Sequence, residues 1–152
     1  MRLTQYSDFA LRVLMYAAAK PEKLLTIEET ARAYGISRAH LMKVVNQLIR
    51  EGFLSSVRGR SGGFRLGRDP KDIRIGEVIR ATEPDFAIVE CFGCDNQCVI
   101  TPSCGLKKLL AEALKAFLAK LDQATLKDML LDRSMVAELD AMRDNSAASP
   151  SI

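Results

Sequence analysis

Histidine is almost missing from this sequence: His40 stands alone among 152 residues. With no second histidine, and no serine or acid partner at a recognisable spacing, a hydrolase triad has nothing to be built from. The glycines never fall into a phosphate-cradling order, so neither a Walker loop nor a dinucleotide fingerprint is there. Enzymatic activity is therefore not expected. Long apolar runs are missing too. The longest uncharged one, Val13 to Ala19, falls far short of the roughly 20 residues that span a bilayer. The N-terminus, MRLTQYSDFALRVLMY, has no separate basic region followed by an apolar run and a small-residue cleavage site. A soluble, cytoplasmic protein is expected. Cysteine is absent everywhere but in CFGCDNQCVITPSC, residues 91 to 104, which holds all four. A chain of this length buries a core without crosslinks, and in a reducing compartment clustered thiols point to metal binding or redox chemistry.

The charge is small overall and unevenly spread. Residues 1–70 carry 12 Lys and Arg against 6 Asp and Glu, and residues 71–152 carry 10 against 13, so the first half is +6 and the second −3. The basic half is the candidate for a polyanionic partner.

That basic half also has a readable architecture. Tyr6, Phe9, Ala10, Val13, Leu14 and Ala17 share one helical face, which Pro21 closes. Thr26 with Glu29 reads as a capping box opening a short helix that stops at Gly35. Ser37 then caps a second helix with an apolar stripe of Leu41, Val44, Val45, Leu48 and Ile49. Two short helices across a tight glycine turn form a helix-turn-helix. The runs FLSSV and GFRL flank RGRSG and predict a hairpin, which makes the motif winged. Ile73, Ile75, Val78 and Ile79 suggest one more short helix before the cysteines. The predicted fold class is mainly α with a small β-wing. The parts are a winged helix-turn-helix over 1–80, a cysteine-bearing loop over 81–104, a long helix with a C-terminal helix over 105–143, and a disordered polar tail over 144–152.

In a helix-turn-helix the second helix enters the major groove and its first turns reach base edges. Ser37, Arg38, His40 and Lys43 are thus the candidate readers or phosphate contacts, and Arg58 and Arg60, beside Gly62 and Gly63 at the hairpin tip, are placed to meet a minor groove or phosphates. The ordinary alternative is a solvated charged face on a hairpin.

After the cysteines, Leu106, Leu109, Leu110, Leu114, Phe117, Leu118 and Leu121 keep helical spacing over more than four turns. A helix so rich in leucine on one face buries it against another helix, and the pattern leaves no second long helix in this chain. A homodimer is expected. The thiol spacing is C-x2-C-x3-C-x5-C. Zinc ribbons and knuckles use paired C-x2-C elements, and only one pair is here; thiolates also hold iron–sulfur clusters, and a thiol–disulfide sensor needs no metal.

Four stretches in order, MRLTQYSDFALR, YGISRAHLMKVVNQL, VRGRSGGFRLG and the cysteines with the helix after them, together resemble the iron–sulfur winged-helix regulators that include IscR and RirA, over about residues 1–130. ITPSCGLK is most similar to the nitric-oxide-sensing NsrR branch. The resemblance implies a repressor of operator DNA, a homodimer, and a cluster held by Cys91, Cys98 and Cys104. Cys94 is then the extra thiol, either a free loop cysteine or a replacement ligand. It further implies a [4Fe–4S] cluster whose fourth ligand is an oxygen, Asp8 of the other subunit, with [2Fe–2S] as the alternative. The signal would be nitric oxide, or iron or cluster status in an IscR-like or RirA-like regulator; the IscR version lacks its histidine near Cys104. A zinc-stabilised interaction module is the remaining alternative.

Overall fold

The computed structural model describes residues 2–147. Helix α1 (Gln5–Ala19) starts at Thr4, whose hydroxyl accepts from the Ser7 amide, and buries Ala10, Val13, Leu14 and Tyr16 on one face. Helix α2 (Ile27–Tyr34) is capped by Thr26 and ends at Gly35, whose φ of 62° is the left-handed conformation a glycine adopts without strain. Helix α3 (Arg38–Arg50) follows after three residues, Gly35, Ile36 and Ser37. Strands β1 (Leu54–Val57) and β2 (Gly63–Leu66) pair antiparallel with Leu54 opposite Leu66 and Val57 opposite Gly63. Leu25 adds an isolated antiparallel bridge to β2, exchanging backbone hydrogen bonds with Phe64 at 2.9 and 2.8 Å. Gly63 permits this approach, since a Cβ there would stand 2.5 Å from the Leu25 carbonyl oxygen.

Helix α4 (Ile75–Thr82) closes the body, and the chain then runs through a loop with two short 3-10 turns into α5 (Gly105–Gln123). Beyond α5, Leu126 returns to the core as a fully buried side chain, with its amide bonded to the Ile73 carbonyl at 2.8 Å. Helix α6 (Arg133–Ala147) seats on α2. Its Asp140 also reaches the end of α1, where it accepts from the Tyr16 hydroxyl at 3.0 Å and pairs with Lys20.

Two expectations change. The chain does have a second sizeable helix after the cysteines, because α6 spans fifteen residues; its apolar positions seat it on α2, and α5 still has no buried side chain among its nineteen residues. The helix also runs through residues 144–147, where the disordered tail was expected to begin. Asn145, Ser146 and Ala147 are weak but not helix-breaking, and extending a formed helix is cheap where nucleating one is not. The remainder of that tail, 148–152, lies outside the described residues. Among the described residues no helix is long and apolar enough to cross a membrane.

Candidate nucleic-acid interface and thiol segment

The Ser37 hydroxyl accepts from the His40 amide at 3.3 Å and so begins α3. Two hydrogen bonds hold this helix from behind. The Tyr6 hydroxyl donates to the Lys43 carbonyl at 3.0 Å, and Gln47 Nε2 donates to the Ala81 carbonyl at 3.2 Å, joining α3 to α1 and α4. Burial raises the Tyr6 pKa against the opposing pull of Arg50, so the phenol remains a donor at neutral pH. Ala39, His40, Lys43, Asn46 and Arg50 are exposed, as a reading face requires; Gln47 turns toward α4 instead.

Arg38 is exposed but engaged, its Nε donating to a carboxylate oxygen of Glu28 on α2. That hydrogen bond holds the Glu28 carboxyl below its usual range. A groove of about 410 Å³ separates α3 from the wing, with Arg38 and Asn46 on one side and Arg60 on the other. Arg58 and Arg60 are exposed around Gly59, which bends the tip with a φ of 120°. Gly62 and Gly63 have a packing role here. A Cβ on Gly62 would collide with the Val57 carbonyl, as one on Gly63 would with that of Leu25.

The thiols lie on the loop that leads into α5. Cys91 lies in the turn Glu90–Phe92 and Cys104 caps α5, both half-buried; Cys94 and Cys98 are exposed, and all four are free. The loop has its own order. Asn96 accepts from the Cys98 amide at 3.1 Å and donates to Thr101 Oγ1 at 2.9 Å, while Thr101 donates to the Cys98 carbonyl at 2.8 Å. The Cys104 sulfur accepts from the Lys107 amide at 3.4 Å. Asp8 stands in the first turn of α1 with both oxygens taken by Arg12, at 2.7 and 3.1 Å.

Among the described residues, no three His, Cys, Asp or Glu side chains stand close enough to hold one metal ion. A single chain therefore does not gather even Cys91, Cys98 and Cys104 into one ligand set, and Asp8 is expected from the other subunit. By its chemistry the donor set fits an iron–sulfur group all the same: free sulfurs on a short loop, one already accepting a backbone N–H of the kind that tunes iron-bound sulfur. Sequence reasoning missed Glu28, Tyr6 and Gln47 as supports of the reading helix. Their partners lie 10, 37 and 34 residues away, and no local spacing announces such contacts.

Above α5, a cavity of about 530 Å³ is bounded by Leu3, Phe86, Ile88, Leu114 and Phe117. Leu106 and Leu109, nearer the thiols, are each 61% exposed.

Residues 3–132 match a family model described as Rrf2, iron-dependent transcriptional regulator. The chain is 51% identical over 146 residues to the HTH-type transcriptional regulator NsrR of Bacillus subtilis, covering 95% of this chain and all of that one. It is 48% identical over 141 residues to the NsrR of Bacillus licheniformis, covering 91% and 99%. Among solved structures, CymR, the global cysteine regulator of B. subtilis, superposes with a TM-score of 0.69 at 25% identity, covering 85% of this chain and 95% of that one. T. potens IscR shares the fold with a TM-score of 0.68 at 22% identity, covering 100% and 94%.

Proposed function

The chain belongs to the Rrf2 family of transcriptional regulators, DNA-binding proteins rather than enzymes, and from that premise we propose a homodimeric repressor whose grip on operator DNA is set by an iron–sulfur cluster that reports nitric oxide. The observation that carries the reading is the position of the thiols. All four lie within residues 91–104, the loop that leads into α5 and ends at its cap Cys104, and α5 is a helix with no buried side chain in a chain whose other half is a winged helix-turn-helix.

Cys91, Cys98 and Cys104 would hold the cluster, of the [4Fe–4S] type with [2Fe–2S] as the alternative, and Asp8 of a second copy would supply an oxygen ligand. When bound, such a cluster offers iron that nitric oxide attacks with loss of protein ligands. The chain's own residues explain why Asp8 suits a releasable position. Arg12 already satisfies both of its oxygens, so an unliganded Asp8 would keep an ion-pair partner rather than face bare solvent. The leucines of α5 and the apolar cavity above it would pack against a second copy, which sets the separation of two α3 helices against half-sites one turn apart. Of the other signals, iron or cluster status is the nearest alternative.

An anaerobic visible spectrum of the purified protein, titrated with nitric oxide while duplex binding is followed at fixed salt, tests the whole reading. Absorbance from a cluster that bleaches as binding falls is the expected result. A colourless protein with stoichiometric zinc, or one that binds duplex equally well before and after nitric oxide, overturns it.

A further inference from the structure

Glu28 is an odd residue to find at a DNA-facing edge. It is exposed and charged, it lines the groove beside α3, and it belongs to a half of the chain carrying +6. A carboxylate there repels phosphate, so for bare affinity a neutral side chain would serve better. What it does instead is take Nε of Arg38. Among the described residues no partner engages the two terminal nitrogens of that guanidinium.

We propose that Glu28 is a positioning residue for sequence recognition: by holding Nε it fixes the guanidinium plane of Arg38 and leaves Nη1 and Nη2 as a paired donor fork for O6 and N7 of a guanine. An arginine is a planar fork on a long flexible stem, and ordering that stem at the moment of binding costs conformational entropy. Glu28 is seated on a helix capped by Thr26 and packed through Ala31 and Ala33, so its carboxylate is offered to Arg38 from an ordered element. Arg38 opens α3, within the first turn that reaches base edges. The inference rests on reading α3 as the helix that enters the major groove.

The two effects of Glu28 have opposite signs, which makes the idea testable. The full-length wild-type protein, Arg38→Ala, Glu28→Gln and the double variant are purified anaerobically, and each selects from a randomised duplex library at fixed salt. Wild type is expected to prefer guanine strongly at one position per half-site. Arg38→Ala should lose that preference by about tenfold. Glu28→Gln should lose it by about threefold to tenfold at the same position alone, while its affinity for random duplex stays level or rises. The double variant should be no worse than Arg38→Ala, because Glu28 acts only through that side chain. The proposal is overturned if Glu28→Gln keeps the wild-type preference, if it weakens every position alike, or if the two losses add. A wild type that selects no sequence sinks the DNA-binding reading itself, and this inference with it. Matched melting temperatures for all four proteins separate these outcomes from misfolding.

Discussion

Two stretches of this molecule are built to different standards. Among the described residues, every buried side chain lies between Ser7 and Thr82, with Leu126 the one exception. The stretch from Pro84 to Ala124 has none, although it contains the longest helix. The first region is capped, cross-tied and closed on itself. The second exposes Leu106, Leu109, Val99 and Ile100 to water. Apolar side chains left outside so consistently mark a surface that is finished by something else. The first region closes its core within the chain, and the second leaves its apolar face open.

Core substitutions sharpen the contrast most. Leu126→Ala should cost about 2–5 kcal/mol in thermal or denaturant unfolding, since it empties a fully buried site. Leu109→Ala, at an exposed position, should leave the fold's stability within about 0.5 kcal/mol and instead raise the dimer dissociation constant seen by sedimentation. Equal losses in the two melts would erase the distinction. Gly63→Ala comes next, at about 1–3 kcal/mol, because the new methyl meets the Leu25 carbonyl and one of them must give way. Ser37→Ala should cost about 1 kcal/mol by removing the α3 cap, with operator affinity falling alongside. Arg58→Ala should leave stability untouched and lower the slope of log affinity against log salt by about one.

Acid probes the seam between the regions. Asp122 on α5 meets Arg80 on α4 through both carboxylate oxygens, the Nη2–Oδ2 contact being 2.7 Å, and Arg80 holds the Asp122 carboxyl below its ordinary value of 3.8. A carboxyl lowered by folding contributes in full above its unfolded value and loses that contribution as pH falls through it toward the depressed one. The protection of α5 amides, measured against their intrinsic exchange rates, should therefore fall below about pH 4 while the α1–α3 core stays protected. Gly76→Ala should mimic acid at neutral pH, because its Cβ would collide with the Asp122 carboxylate. That alanine improves the intrinsic helicity of α4, so loosening of α5 alone would locate the effect in the seam.

Much of the reading head was legible from local rules. Thr26, Gly35 and Ser37 are residues whose side chains or φ preferences dictate helix ends, and all three sit at those ends. The hairpin around RGRSG formed because its glycines permit the bend and the Leu25 contact. The α5 stripe was legible as apolar, but periodicity says only that a face is apolar and never what covers it. The placement of α6 was hidden for a related reason: Tyr16 and Asp140 lie 124 residues apart. Asp8 shows the limit most clearly. Its spacing from Arg12 reads as an ordinary ion pair one turn apart, which is what the single chain contains, and a role in trans leaves no mark on local pattern.

Helix α5 is about 28 Å long, and its Asp122 end is the one that is clasped. A rod pinned near one tip magnifies rotation at the other. A tilt of about 5° about Asp122 carries Cys104 through about 2.5 Å while the clasp barely moves. In reverse, a small displacement of the sulfur end arrives at Arg80 as a modest turn with a long moment arm. Arg80 is followed in sequence by Ala81, whose carbonyl holds Gln47 of the reading helix. Of the four thiols, Cys104 is the one at the far tip of that rod, where the leverage is greatest.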